Sequence, residues 1–270
     1  MDIASHTLSG IAAGTAVAAF FVHKRKIFKS IPILLGGMVG GFLPDIDAVS
    51  LWSGFDATFG KLFGLSASGQ KIYFSTYMLS HHSAMHSIAA ALFFTLCFLL
   101  LAYIIQILYL KNNALKDVLI KSGPTALAFF IGFNFHLLGD MPTPGYVWGG
   151  IRLWWPSESY SGGTDQIWWW NNYDIFLFIL TTVLINLFII PFIKNSKFVF
   201  LKIIPAFLVV LMIILSVIQV NTRQYSYPYK NYRKEFAGFE KKSLIEQQKI
   251  LGMRTYKIMR AIDKKIPFPF

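Results

Sequence analysis

The chain has 270 residues, of which 55% are hydrophobic, 17% aromatic and only 14% charged, with a mean hydropathy of +0.52. Soluble domains carry about 25% charged residues, so a cytosolic enzyme is excluded, and the aromatic content excludes a disordered chain. The formal net charge is +12, but the bases sit in short clusters between apolar runs, the pattern of membrane-protein loops and not of a nucleic-acid-binding face.

The apolar runs predict an all-α, polytopic membrane protein of about six spans, two of them short and glycine-rich. In chain order they are Thr7 to Val22, Ile31 to Leu43, Ile88 to Leu110, Gly123 to Gly139, Asp174 to Ile193 and Phe198 to Val220. A helical crossing needs about 20 apolar residues, and Ile88 to Leu110 and Phe198 to Val220 satisfy this most clearly. Gly36-x-x-x-Gly40 and Gly37-x-x-x-Gly41 carry the small-xxx-small spacing that lets helix backbones approach closely. The two N-terminal stretches therefore read as short spans buried among the others, with a re-entrant hairpin as the alternative for Ile31 to Leu43. The Met1-Asp2 start lacks the positive charge of a signal peptide, so this segment is expected to remain in the mature protein. The single Cys97 lies inside an apolar run and is expected to pack there.

Short basic loops mark the cytoplasmic side of a bundle. His23-Lys24-Arg25-Lys26 with Lys29, then Lys111, Lys116 and Lys121, then Lys194 and Lys197, alternate with two long loops poor in bases, Pro44 to Ser80 and Met141 to Tyr173. Six crossings then place the N-terminus, both long loops and the C-terminal tail on the other face. The domain organisation is a membrane-embedded unit over residues 1–220 and a basic amphipathic tail over residues 221–270. The tail has twelve Lys/Arg and four acids, which strains the charge rule, and a five-span version would bring it inside. Ser243 to Ile262 reads as an amphipathic helix, lying either on the membrane surface or against the main body. The second long loop concentrates Tyr146, Trp148, Trp154, Trp155, Tyr160, Trp168, Trp169 and Trp170. It is expected at headgroup level, as a lid, a wall for lipid access or a passive belt.

Five of the six histidines (His6, His81, His82, His86 and His136) and three aspartates (Asp45, Asp47 and Asp140) fall at one membrane face in this topology. The topology rests on Lys and Arg alone, so the convergence is independent of it. His136 and Asp140 are four apart and share a helix face; His82 and His86 do so too if they lie on a helix. Ionisable groups at membrane depth are costly and face polar interiors. Imidazole with carboxylate is an ordinary ligand set for zinc, manganese or iron.

These residues also carry a resemblance. Ser5-His6-Thr7 with Gly10, Gly40-Gly41-Phe42-Leu43-Pro44-Asp45-Ile46-Asp47, His81-His82-Ser83-Ala84-Met85-His86-Ser87, His136-Leu137-Leu138-Gly139-Asp140 with Thr143 and Gly145, and Leu153-Trp154-Trp155-Pro156 follow one another over about residues 1–160. The succession resembles the YdjM-type family of bacterial inner-membrane proteins. The resemblance implies LexA binding and the metal-dependent hydrolase activity ascribed to that family. In the family pattern His-Arg-x-x-Thr-His-Ser, His81 takes the first His, His82 replaces the Arg and Met85 replaces the Thr. An unbroken helix would point His81 and His86 about 140° apart, so either the helix begins after His82 or His82 is the ligand, and both histidines stay candidates.

The expectation is a metal-dependent hydrolase of a membrane-associated substrate, a phosphoester or phospholipid-like headgroup. One or two divalent transition-metal ions, zinc first, would be held by His6, Asp45, His86, His136 and Asp140. Asp47 would be a further ligand or a general base, and His81 or His82 a proton donor or a group that orients a ligand. The expected partners are membrane lipids and a regulatory protein, and the metal site faces the periplasm. A transporter and a non-catalytic interaction protein with a structural metal are the rival readings. A transporter would spread its ionisable groups through the membrane depth, whereas here they gather at one face.

Overall fold

The computed structural model describes residues 1–21, 28, 30–110, 114–143, 149–163, 172–195, 199–223 and 232–265. The helices are α1 (Ile3–Phe21), α2 (Ser30–Phe42), α3 (Gly69–Tyr73), α4 (Ile88–Leu110), α5 (Leu115–Asp140), α6 (Tyr173–Asn195), α7 (Ile203–Asn221) and α8 (Tyr232–Asp263). No strand occurs among the described residues; Ile151 and Ser161 form an isolated antiparallel bridge. Six segments are long and apolar enough to cross a membrane: α1, α2 continued by the 3-10 segment Leu43–Leu51, α4, α5, α6 and α7. The all-α, six-span architecture expected from the apolar runs is the one observed. The 23 residues of α4 extend about 34 Å, enough for a hydrocarbon core of about 30 Å. Helix α5 starts at Leu115, well before the apolar run, because its first turns carry Lys116, Asp117 and Lys121 at the end remote from Asp140.

Helix α2 lies between α1 and α5, and its glycines are the reason it fits. Gly40 faces α5, where a Cβ would run into the Phe129 carbonyl; Gly37 faces α1, where a Cβ would run into the Gly10 carbonyl. The two overlapping glycine pairs thus serve two different neighbours. Gly10 meets Gly37 and Gly14 meets Leu34, so α1 and α2 are antiparallel; Gly36 meets Thr125 and Gly40 meets Phe129, so α2 and α5 run in the same direction. The start of α1 and the ends of α2 and α5 therefore share one end of the bundle. In the interior, Asn186 of α6 donates to Thr15 Oγ1 of α1 (2.8 Å) and to the Pro205 carbonyl of α7 (3.2 Å). A buried amide is costly unless paired, and here it ties three helices together.

Helix α8 is interrupted at Gly252, whose φ is 70°, a conformation that glycine adopts without penalty. Its inner face buries Ser243, Glu246, Gln247 and Met259, while Ile245, Met253, Ile258 and Ile262 remain exposed. It docks on the start of α6: the Asp174 amide donates to Gln247 Oε1 (3.2 Å) and Tyr173 Oη donates to Asp263 (2.6 Å). The tail therefore packs on the main body, at the end where α1 begins, as six crossings require.

Candidate metal centre

Each site residue arrives by an identifiable local device. His6 sits in the second turn of α1. The 3-10 segment Leu43–Leu51 follows α2 directly, with Pro44 in its first turn, and carries Asp45 and Asp47. His136 and Asp140 occupy the last turns of α5. The His81–His86 stretch is not the start of a helix, contrary to one reading of the His82–His86 spacing. Ser87 Oγ accepts from the Ala90 amide (3.1 Å), so Ser87 caps α4 and the helix begins at Ile88. Ala84–His86 form one 3-10 turn. His82 takes a left-handed conformation with φ 61°, unusual for a residue with a side chain and concentrated at functional sites. With the helix constraint removed, His81, His82 and His86 all turn toward the same centre.

At that centre His136 Nε2 lies 2.9 Å from Asp140 Oδ2, 3.1 Å from His86 Nε2 and 3.6 Å from Asp45 Oδ1. His86 Nε2 lies 3.4 Å from Asp140 Oδ2 and 3.8 Å from Asp45 Oδ1. Asp45, His86, His136 and Asp140 form one possible ligand group, with one donor atom from each residue within 4.8 Å of the others. All four are buried. His81, His82 and His86 form a second such group, and Asp45, Asp47 and His81 a third. His6 reaches the other oxygen of Asp140 (Nε2 to Oδ1, 2.9 Å) and stacks on His136 with ring centroids 3.7 Å apart. The Met1 ammonium also donates to Asp140 Oδ1 (2.6 Å).

Neighbouring acceptors set the imidazole tautomers. His136 Nδ1–H donates to the Gly41 carbonyl (2.8 Å) and His82 Nδ1–H to the Gly150 carbonyl (2.9 Å). Each bond leaves the Nε2 lone pair directed at the cluster, the arrangement that metal-binding histidines use. His82 Nε2 is 3.7 Å from Asp140 Oδ2. His81 Nδ1 pairs with Asp47 Oδ1 (3.0 Å), and its ring stacks on Tyr73.

The charges are unbalanced. Among the described residues, the cationic groups paired with the three carboxylates are the Met1 ammonium and histidines. Burial holds His82 far below the ordinary histidine range, at about 3. Burial opposes the charge on His86 as well, but its hydrogen bonds to Asp140 and Asp45 and the nearby Asp47 outweigh that and raise it to about 10. The cluster draws positive charge inward.

A divalent ion fits this donor set. Tetrahedral nitrogen and oxygen ligands about 2.05 Å from zinc stand about 3.3 Å apart, and the five separations above run from 2.9 to 3.8 Å. His6 Nδ1 is buried without a hydrogen-bond partner, and His86 Nδ1 comes no nearer than 3.5 Å to Asp47 Oδ2, which marks a polar site not completed by its own side chains.

Several polar residues at this end escaped the sequence reading. Arg152, at the start of the second long loop, lies against the His82 segment: its amide donates to the His82 carbonyl (2.9 Å) and its Nη1 to Ser83 Oγ (3.3 Å). Asn172, Asp174, Arg223 and Gln247 form a second buried polar cluster where α6, the end of α7 and α8 meet. A lone Arg or Gln in a loop or tail gives no periodic signal, so only the folded arrangement reveals them. Tyr146, Trp148 and Trp168–Trp170 of the aromatic loop, Gly145 of the family pattern, and the basic residues His23–Lys26, Lys29 and Lys111, lie outside the described residues.

The fold and the cluster together define a multi-pass helical membrane protein with a buried His/Asp donor set, able to hold a metal ion, at one end of its bundle. The family described as YdjM inner membrane protein matches residues 1–224, a stretch that contains all six spans and every residue of the cluster. The chain belongs to that family and is a multi-pass protein of the inner membrane. No curated protein and no solved structure matches it.

Proposed function

We propose that the protein is a membrane-embedded, metal-dependent hydrolase acting on a membrane-associated phosphoester, such as a phospholipid-like headgroup. The observation that carries this reading is the group of Asp45, His86, His136 and Asp140, four buried donors with ligand-like separations at the end of a lipid-facing bundle. These four would hold the ion, zinc first by donor chemistry, with His6 supporting Asp140 from behind. The adjoining Asp45, Asp47 and His81 group would suit a second ion. When bound, a divalent ion stabilises the charge that develops on a phosphoryl group and acidifies water near neutral pH.

The protein's own groups do the rest. Asp47 pairs with His81 Nδ1 and would orient that ring for proton exchange with a leaving group or water. Asp47 stands between that role and ligation of a second ion. His82, anchored on the Gly150 carbonyl, orients Asp140. The exposed Trp52, Leu62, Phe63, Met78 and Leu79 in the segment joining α2 to α4 give the site an apolar surround from which a lipid headgroup would approach.

The site end would face the periplasm if the short loops set the orientation, since Lys116, Lys121 and Lys202 lie at the opposite end and basic residues in short loops favour the cytoplasm. A regulatory partner such as the LexA repressor would then meet the cytoplasmic loops. Metal analysis of detergent-purified protein tests the central reading, with His136→Ala and Asp140→Ala beside the wild type. One or two equivalents of a transition metal, lost in both variants with helix content retained, are expected. A wild-type protein that contains no metal and takes none up on titration overturns it.

A further inference from the structure

A buried or half-buried arginine is normally found against a carboxylate, because stripping water from a guanidinium without a counter-charge is costly. Arg152 has none among the described residues. Its Nη1 donates to the neutral Ser83 hydroxyl (3.3 Å), its Cζ lies 5.3 Å from the centre of the Tyr160 ring, and its Nε is buried without an acceptor. The Tyr160 hydroxyl is buried beside the guanidinium and interacts with it. A charged donor and a hydroxyl therefore stand side by side with no carboxylate among the described residues to balance them.

Their position is fixed by the backbone. The Ile151–Ser161 bridge closes the loop that carries both residues. That loop is clamped to the histidine segment by Arg152 N–H to the His82 carbonyl (2.9 Å), His82 Nδ1–H to the Gly150 carbonyl (2.9 Å) and Ile88 N–H to the Leu153 carbonyl (3.1 Å). Ile151 between these contacts is fully buried, so the loop is part of the packed body. Arg152 is thus clamped to the backbone of His82 and the side chain of Ser83, in the segment that carries the cluster's histidines.

We propose that Arg152 and Tyr160, with Ser83 behind them, form an anion subsite that holds a phosphoryl group beside the metal cluster. The guanidinium fork matches the oxygens of a phosphate. A phosphoryl group has two oxygens for the fork and a third for the Tyr160 hydroxyl, whereas a carboxylate has only two. The subsite deepens the hydrolase reading by naming the charged group of its substrate, yet its side chains need no metal to bind an anion.

Calorimetric titration of the full chain in maltoside detergent tests this, with inorganic phosphate, soluble dihexanoyl phosphatidic acid and uncharged dihexanoylglycerol as probes. Wild type, Arg152→Met and Tyr160→Phe are compared, each with its thermal midpoint; methionine keeps an apolar stem over Tyr160. Loss of the charge-assisted bonds weakens phosphatidic acid binding about tenfold or more in Arg152→Met and about threefold in Tyr160→Phe, with dihexanoylglycerol unchanged. Inorganic phosphate that binds as tightly as phosphatidic acid and shows the same Arg152 dependence assigns the subsite to free phosphate; weaker phosphate binding assigns it to a lipid headgroup. A wild type that binds neither anion, or a folded Arg152→Met that binds both as tightly as wild type, overturns the proposal. Repeating the titration on chelator-treated protein separates the two readings: an Arg152-dependent affinity that survives there supports the subsite even if the metal analysis fails.

Discussion

Two buried polar clusters sit at the same end of this bundle, and they are built on opposite principles. In the first, Arg223 Nη2 donates to both oxygens of Asp174 at 3.0 Å, Nη1 donates to Asn172, and Gln247 accepts the Asp174 amide. The guanidinium meets the Asp174 carboxylate directly, neutral amides flank the pair, and buried Glu246 adds a second carboxylate close by. In the second, Asp45, Asp47 and Asp140 crowd against five histidines, with imidazole nitrogens 3.1 Å apart and His86 Nδ1 left without a hydrogen bond. The first cluster is built on a direct arginine–carboxylate pair and pins α8 and the end of α7 to α6. The second has no arginine or lysine among its described partners and has ligand geometry. Buried charge alone is therefore not a sign of function in this protein; ligand geometry is.

Removing one partner from the arginine cluster should have the largest effect. Arg223→Met leaves Asp174 buried and unpaired, a loss of about 3–5 kcal/mol, read as a fall in the thermal midpoint in detergent. Metal content should not change. Arg223→Met with Asp174→Leu should recover most of the loss, because the desolvated charge is then gone. A double variant as unstable as the single one would show that the pair contributes more than mutual neutralisation.

The histidine cluster should respond to metal instead. At free metal 100 times its Kd, binding adds about 2.7 kcal/mol to the native state. That increment should raise the wild-type midpoint and be absent in Asp140→Ala. Arg223→Met should keep it in full, measured from its own lower baseline. Equal stabilisation of Asp140→Ala by metal would move the binding site away from this cluster.

The glycine contacts connect the two regions to the fold. Gly40→Ala forces α2 off α5 at Phe129, and overpacking of this kind costs about 1–3 kcal/mol. Asp45 and Asp47 follow directly from the end of α2, so metal affinity should fall along with stability. Ala substitution at the lipid-facing Val39 should leave both unchanged. The Gly40→Ala midpoint and metal titration together check the coupling.

Much of this was readable in the sequence because the membrane simplifies the problem. The apolar run Ile88 to Leu110 coincides with α4, whereas Gly123 to Gly139 missed the polar first turns of α5, and the overlapping glycine pairs announced that α2 is closely packed among other helices. The clustering of His6, His86, His136 and Asp140 at one face followed from topology alone. The rest depended on events that leave no periodic trace. Arg152 and Gln247 are single residues whose partners lie 69 and 73 positions away. The docking of α8 turns on Asp174 and Tyr173, which read simply as the polar start of a span. The choice between His81 and His82 turned on where the helix begins, and Ser87, the residue that settles it, gives only the weak signal of a lone N-cap.

The smallest effect tests that last point most directly. His82 occupies the left-handed region at φ 61°, which costs a residue with a Cβ roughly 1–2 kcal/mol and glycine almost nothing. Its compensation is the bond from Nδ1–H to the Gly150 carbonyl, worth about 0.5–1.5 kcal/mol net. Both His82→Ala and His82→Gly lose that bond, but only alanine keeps the strain. In ordinary extended or helical backbone, glycine is the less stable of the two by about 0.5–1 kcal/mol. Here the order should invert, with His82→Gly the more stable variant by about 1 kcal/mol and the four-donor metal group retained in both. Thermal midpoints measured on metal-stripped protein isolate the backbone contribution. Alanine equal to or better than glycine would mean that His82 is not held in a strained turn, and the directed approach of three histidines to one centre would need another cause.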